Sequence, residues 1–423
     1  PTRRSSDLPL MSGRAQHCDC LVIGAGPVGA LLASVLARTG RSVVLAERGT
    51  LERKAPGRPE TRGYALSAGS VTLLDDLGYW PALEPFAAPI REVHVTRVGT
   101  LGSVSMDAES QRVPALGQVV PAAAIDTVMA RALGDAGVQV LEETRFAELA
   151  SARAERRQVV LDGMAGRQRF ATRLVVAADG AHSATRAAAG IEIQHRRYDA
   201  DALVFDVRPA RAHRSRAFER FTPEGPLALL PQPGGSMNVV WVAPPEVCEA
   251  RAALPEAVRI AELQARFGWR LGRLEAAGPL ARFPLELVRA RRLHAERLVL
   301  AGNVAHGLHP VAGQGLNLSL RDVAVLAALL QPPGDPGAPE RLARYEEIRT
   351  PDIDRVVAAT DFLARRLRVR DALTPHLLGG GLLLLDRIEL LRSLFAERAM
   401  GLEALPRRSL RAIPPPGSIE ASA

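Results

Sequence analysis

Apolar runs of strand length alternate with apolar or amphipathic stretches of helical length along most of the chain, and a central block alternates residue by residue instead. Residues 19–23 are a strand-like run leading straight into Gly24-Ala25-Gly26-Pro27-Val28-Gly29. Residues 30–38 then read as a helix closed by Gly40, and 42–46 as a second strand ending at Glu47. Residues 60–69 read as a loop entering a helix that runs to about Leu77. Positions 92–106 alternate enough to be paired strands turning at Gly99 and Gly102, and 117–120 precede an Ala-rich helix over 122–134. Further strands are expected at 138–146, 158–161 and 171–179. From 202 to 243 the pattern is strands joined by tight turns, with Gly234-Gly235 as a hairpin turn, which predicts an inserted, mostly antiparallel sheet. A helix over 255–267 follows, and 285–293 returns the chain to the first unit.

Residues 298–301 form a short apolar run bounded by Gly302, the pattern of a buried strand ending in a turn. His309-Pro310 imposes an extended step, after which Gly313, Gln314 and Gly315 open a helix over 316–330. Unpaired N–H groups at such a helix start face whatever occupies the loop, and the helix dipole favours an anion there by about 0.3–1 kcal/mol. Residues 331–339 read as a Pro/Gly linker, 341–368 as a long charged helix, and 376–395 as a Leu-rich segment interrupted by Gly379-Gly380-Gly381.

At 423 residues the chain is long enough for two or three units sharing a large core. A hydrophobic content of 47% and a mean hydropathy of +0.02 place it among globular rather than membrane-spanning or disordered chains. The net charge of +8 invites a nucleic-acid partner, but aromatics are only 4% and no basic block is interleaved with them, so none is expected. Lys54 is the only lysine, and such Arg and Ala richness reflects nucleotide bias; a basic surface against an anionic membrane stays open. Cys18, Cys20 and Cys248 make no disulfide framework and no metal site, which suits a reducing cytoplasm. The first ten residues carry no secretory signal, and Met11 is a candidate start.

The stretch from 19 to 47 is a dinucleotide fingerprint with strand, glycine turn, helix and terminal acid all present. Gly24, Gly26 and Gly29 allow a tight turn and close approach to a pyrophosphate, while Glu47 accepts hydrogen bonds from a ribose and disfavours NADP in that crevice. Asp179 followed by Gly180 at a strand's carboxyl end is a second ligand-facing position, with a plain turn residue as the alternative. Arg62 is either a phosphate contact or a solvated side chain.

With these stretches placed, the sequence resembles the class A flavoprotein aromatic hydroxylases of the p-hydroxybenzoate hydroxylase type. GAGPVG with Glu47 matches the family's adenosine end, residues 179–186 match its D-G-x-x-S-x-x-R motif, and 302–317 resemble its third motif. Within the family the resemblance is closest to the ubiquinone-biosynthesis 2-octaprenyl-6-methoxyphenol hydroxylase branch, through 302–303, 308–317, 115–120, 216–231 and 267–272. Asn303 stands where the wider family has Asp. The resemblance implies an α/β fold: a Rossmann-like FAD-binding domain (18–76, 107–190 and 285–330), an inserted, mostly antiparallel substrate domain (77–106 and 191–284), C-terminal helices (331–423) and a disordered tail (1–17). It implies FAD held by Gly24, Gly26 and Gly29 at the pyrophosphate, Glu47 at the adenosine ribose, Arg62 and Gln118 at the centre, and Asn303 at the ribityl chain. Asp179 would contact FAD and serve NAD(P)H, the implied electron donor, and Pro310, Gly313, Gln314, Gly315, Leu316 and Asn317 would lie against the isoalloxazine ring.

The flavin carries the hard chemistry, a hydroperoxide transferring OH to an electron-rich phenol, so the protein must position, stabilise charge and exclude water. The N–H groups of residues 313–317 can stabilise the anionic reduced ring. Leu227, Ala228, Leu229 and Leu230 supply an apolar wall, and with Pro231 and Pro233 on that strand no cation is expected to pair with an acid, which favours a neutral prenylated phenol with O2. His309 is a weak candidate for phenol deprotonation, a packed histidine being the alternative, and no base is assigned. A hydroxylase of soluble aromatics and a non-catalytic flavin-holding member of a quinone-biosynthesis complex are the competing readings. A prenylated substrate implies a cytoplasmic enzyme meeting the inner membrane surface, in the company of other ubiquinone-biosynthesis proteins.

Overall fold

A strand that is apolar on both faces has to be covered on both. That is the situation of β1 (Gln16–Ile23), whose Cys20, Leu21, Val22 and Ile23 are all buried. In this computed structural model, residues 15–51, 62–99, 103–153, 155–308, 313–366, 401 and 406–416 are described. β1 pairs in parallel with β2 (Val43–Ala46) on one side and with β11 (Gly166–Ala177) on the other. β8 (Gln139–Leu141) continues the sheet beyond β2, and β19 (Leu298–Leu300) continues it beyond β11, both in parallel. β9 (Arg145–Arg153) and β10 (Arg156–Gly163) extend antiparallel from β11, and β18 (His294–Ala295) from β19. The helix α1 (Pro27–Arg38) carries the chain from β1 to β2, and strands on β1's other side arrive later in the sequence. Chain order therefore reverses at β1, and the carboxyl ends of β1 and β11 flank a topological switch point, the usual ligand crevice of such sheets.

The second sheet holds β5 (Glu92–Arg97), β6 (Ser103–Asp107), β12 (Ile193–Pro209), β13 (Arg216–Phe221), β14 (Pro226–Pro231), β15 (Met237–Ala243), β16 (Leu274–Ala276), β17 (Ala281–Ala290) and β20 (His306–Gly307). It is antiparallel except where β13 meets β5. One face is covered by α6 (Pro245–Ala253) and α7 (Glu256–Phe267), burying Phe205, Phe218, Trp241, Leu263 and Phe267. A three-stranded sheet of β3 (Gly63–Ser67), β4 (Ala88–Ile90) and β7 (Gly117–Pro121) sits against its other face. There Ile90 and Val119 cluster with Ala217 of β13, while Leu66 and Val120 join the main core around β1.

The remaining helices cover the first sheet. They are α2 (Ala68–Asp76), α3 (Trp80–Leu83), α4 (Ala122–Asp135), α5 (Ala184–Ala188), α8 (Gln314–Leu330) and α9 (Pro339–Arg366). Residues 406–416 dock back on α2, where Arg407 and Arg411 both pair with Asp76.

Four local expectations change. Residues 63–67 are a strand rather than loop, because pairing with β7 supplies backbone partners that a local pattern does not reveal. Helix α6 lies in a segment for which no element was expected. Residues 285–290 lie in the second sheet, where β17 pairs with β12, before the chain crosses to β18 and β19. Gln16 and His17 belong to β1 rather than to a tail. The Leu-rich segment 376–395 lies outside the described residues.

Candidate active site

The site begins where β1 turns into α1. Gly24 adopts φ +102°, and a Cβ there would stand 2.6 Å from the Ala178 carbonyl oxygen, so the turn can pass the end of β11 only without a side chain. A Cβ on Gly29 would stand 1.9 Å from the Gly24 carbonyl oxygen, whereas one on Gly26 would meet nothing within 4 Å. Gly24 and Gly29 thus serve the close packing of turn and helix. Gly26, which is the N-cap of α1 and has no side-chain cap, borders open space. That space with a helix start beside it is what a pyrophosphate requires, so the residues present fit a dinucleotide. Glu47 lies at the end of β2, accepting the Ala25 N–H at 2.6 Å on one carboxylate oxygen and the Gly49 N–H at 3.1 Å on the other.

The second stretch is held just as tightly. Asp179 accepts the Ser183 hydroxyl at 2.5 Å and both the N–H and hydroxyl of Thr185, at 3.2 and 3.1 Å, which fastens the start of α5 to the end of β11. Ala178, Gly180 and Ala181 face the cavity, and Asp179 supports them from behind. Arg186 is buried and donates to the Val304 carbonyl at 2.8 Å, tying this stretch to the third.

In the third stretch Asn303 is exposed to the cavity, while its neighbours are anchored from beneath. Asp322, fully buried in α8, accepts the Gly302 N–H at 2.9 Å, pairs with His306 Nε2 at 2.6 Å and takes Arg349 Nε of α9 at 2.8 Å. Burial alone would raise this carboxyl, but His306 and Arg349 outweigh it and hold it down at about 2. Gly313 caps α8 in the left-handed region at φ +61° with no side-chain cap, and Gly313, Gln314, Gly315, Leu316 and Asn317 all line the cavity. Asn317 is 2% exposed: its Oδ1 accepts the Ser67 N–H, and its Nδ2 donates to the carbonyls of Ala65 and Gly313, all at 2.8 Å. Its side chain therefore sets the position of β3 against the helix start. His309 and Pro310 lie outside the described residues.

Arg62 enters the cavity ahead of β3, with its guanidinium 5.4 Å from the Phe283 ring centre. Gln118 shares the face of β7 that carries Val120 towards the main core, opposite the face where Val119 meets the second sheet. All three stretches and the open face of the second sheet border one cavity of about 910 Å³.

The apolar wall follows strand alternation. Pro226, Ala228 and Leu230 face the cavity, whereas Leu227 and Leu229 are buried on the other side beneath α6 and α7, which corrects the expectation that all four residues of the run form the wall. Val93, Val95, Val104, Met106, Ala202, Val204, Val240 and Val242 extend it across four further strands. β14 brings no cation, but Arg62 and Arg97 reach the cavity from elsewhere. Two features escaped the sequence reading. One is the His306–Asp322–Arg349 anchor, whose members are far apart in sequence. The other is Glu219, the lone carboxylate on the cavity face of β13, which an acidic residue at an apolar-phase position of that strand signals.

Residues 17–360 match the FAD binding domain family. The chain is 36% identical over 420 residues to the ubiquinone hydroxylase UbiL of Rhodospirillum rubrum, an alignment covering 96% of this chain and 95% of that one. It is 32% identical over 320 residues to the 3-demethoxyubiquinol 3-hydroxylase of Escherichia coli, covering 74% of this chain and 80% of that one. The solved structure of p-nitrophenol 4-monooxygenase PnpA from Pseudomonas putida shares the fold, with a TM-score of 0.74 at 18% identity over 92% of this chain and 100% of that one.

Proposed function

We propose that this chain, which belongs to the FAD binding domain family as an FAD-dependent hydroxylase related to the ubiquinone hydroxylases, hydroxylates the ring of a prenylated phenol. The single observation that carries the substrate class is the continuous apolar face of the second sheet, opposite the glycine-rich segments. Such a wall offers a prenyl-bearing ring dispersion contact and favourable desolvation, about 25 cal/mol per Å² of apolar surface buried. β14 places no cation on that wall, the cavity's Arg62 and Arg97 coming from elsewhere.

FAD, when bound, supplies the activation of oxygen and the delivery of one of its atoms to the ring. The protein's own groups do the rest. Gly26 and the start of α1 would receive the pyrophosphate, Glu47 the ribose, and Asn303 the ribityl chain, with Arg62 at the cofactor's middle and Asp179 and Gln118 supporting the wall there rather than lining it. The start of α8, with Gly313, Gln314, Gly315 and Leu316, directs a helix N-terminus at the place where negative charge accumulates on reduction. The apolar wall excludes water from the reacting atoms. We take NAD(P)H as the electron donor on the strength of the family resemblance, and the division into a discontinuous cofactor domain and an inserted substrate domain as part of the same reading. Among the described residues no helix is long and apolar enough to cross a membrane.

The test is product analysis with purified, FAD-loaded protein, comparing a prenylated phenol with the corresponding carboxylated phenol. The expected result is hydroxylated prenylphenol with substrate-stimulated NAD(P)H oxidation. Preferential turnover of the carboxylated ring would replace this reading with a hydroxylase of soluble aromatics.

A further inference from the structure

Glu219 stands alone in the cavity wall. Along β13, Ala217, Glu219 and Phe221 line the cavity, and Phe218, which also borders it, packs in the cluster beneath the helices. Across the sheet Glu219 is opposite Val95 on one side and Ala228 on the other, and beyond them lie Val104 and Val240. Its carboxylate is thus centred on an apolar surface, and among the described residues no hydrogen bond or ion pair reaches it. The other charged groups on the cavity are placed differently. Glu286 is paired with His182 and His195, Arg62 stacks on Phe283, and Arg97 lies two residues beyond Val95 on β5. β14 and β6 bring no charge to this face.

Burial pushes the Glu219 carboxyl up to about 7. An occupant that expels water from the cavity leaves this half-buried carboxylate unsatisfied unless it brings a donor of its own. Ala217 packs in the cluster that includes Ala65, and Ala65 lies against Gly313 at the start of α8. Glu219 is two residues further along β13, about 7 Å, on the same cavity-lining face as Ala217.

We infer that Glu219 binds the substrate's phenolic hydroxyl and takes its proton. The inference rests on the phenol reading above and deepens it. The O–H bond breaks, its electron pair stays on the phenolate oxygen, and the proton passes to a Glu219 carboxylate oxygen. Nothing is oxidised or reduced in this step, and the ring becomes more electron-rich for the hydroxylation that follows. The same charge repels a carboxylated ring, so Glu219 also selects for neutral phenols.

The test has a binding arm and a rate arm. In the holoenzyme, the affinity of 2-hexylphenol, followed by tryptophan fluorescence, should tighten several-fold between pH 6 and 8. That of its O-methyl ether, which has no donor, should stay flat. Glu219→Gln should flatten the phenol profile. With FAD content and melting temperature unchanged, it should lower kcat on a prenylphenol by about 100-fold or more and remove the limb near pH 7 from the rate profile. Equal pH dependence for phenol and ether in the wild type, or a Glu219→Gln enzyme with the wild-type rate and profile, overturns the inference. Donor-dependent binding without hydroxylation of any prenylphenol would instead support Glu219 as the hydroxyl's partner and overturn the functional reading alone.

Discussion

Two glycines three residues apart in one turn should respond to substitution in opposite ways. At Gly26 a new side chain meets nothing within 4 Å of its Cβ and projects into the cavity. Gly26→Glu should therefore leave the apoprotein within about 0.5 kcal/mol of wild type, as for a surface change. It would, however, set a carboxylate beside the pyrophosphate. Two like charges about 4 Å apart at an effective dielectric near 20 repel by about 4 kcal/mol, which is about three orders of magnitude in FAD affinity. At Gly29 the added methyl carbon would lie 1.9 Å from a backbone carbonyl oxygen, so the turn and α1 must separate. Overpacking of this kind costs about 1–3 kcal/mol or more, and Gly29→Ala should lower the melting temperature of the apoprotein itself. The assay is thermal unfolding of both apoproteins by differential scanning fluorimetry, with FAD titration by fluorescence. A Gly26→Glu protein that purifies yellow and fully loaded would refute the cofactor placement. A Gly29→Ala apoprotein as stable as wild type would refute the packing argument.

Asp322→Ala strands the buried cation of Arg349, leaves His306 without its partner at 2.6 Å, and should cost about 3–5 kcal/mol in urea unfolding. In the wild type this carboxyl is held at about 2, below its ordinary 3.8, so its contribution is fully present above pH 4 and is lost as pH falls towards 2. The shift corresponds to about 2 kcal/mol, and acid titration of Asp322→Asn should lack that part of the loss. Asn317→Ala removes the three hydrogen bonds joining β3 to the start of α8. It should cost about 1–3 kcal/mol in stability and lower kcat more than it raises KM, measured by steady-state turnover, because the helix start loses its fixed position.

The cofactor end of this site was legible because its chemistry is local. A pyrophosphate needs glycines at fixed short intervals after a strand, and residues 24–29 with Glu47 carry that requirement within one βαβ unit. The strand at 63–67 was not legible, because its hydrogen-bond partner lies more than fifty residues later, in β7. The apolar run at 227–230 announced a wall, but only pairing with β13 and β15 decided that Ala228 and Leu230 face the cavity while Leu227 and Leu229 face the helices. A one-residue slip in that register would have exchanged the two sets.

From sequence alone, then, came the α/β class, the three glycine-marked stretches and the expectation of a dinucleotide and a dry pocket, each written within a window where period and spacing are physical constraints. Tertiary structure alone decided what those stretches rest on and what faces them. Asp322 gathers Gly302 and His306 from one segment and Arg349 from another, and Glu219 becomes the lone carboxylate on β13's cavity face only because β5 and β14 pair beside it with Val95 and Ala228. Burial and electrostatic partnership are properties of distance in space, and a chain's local pattern carries no record of which distant residue will arrive there.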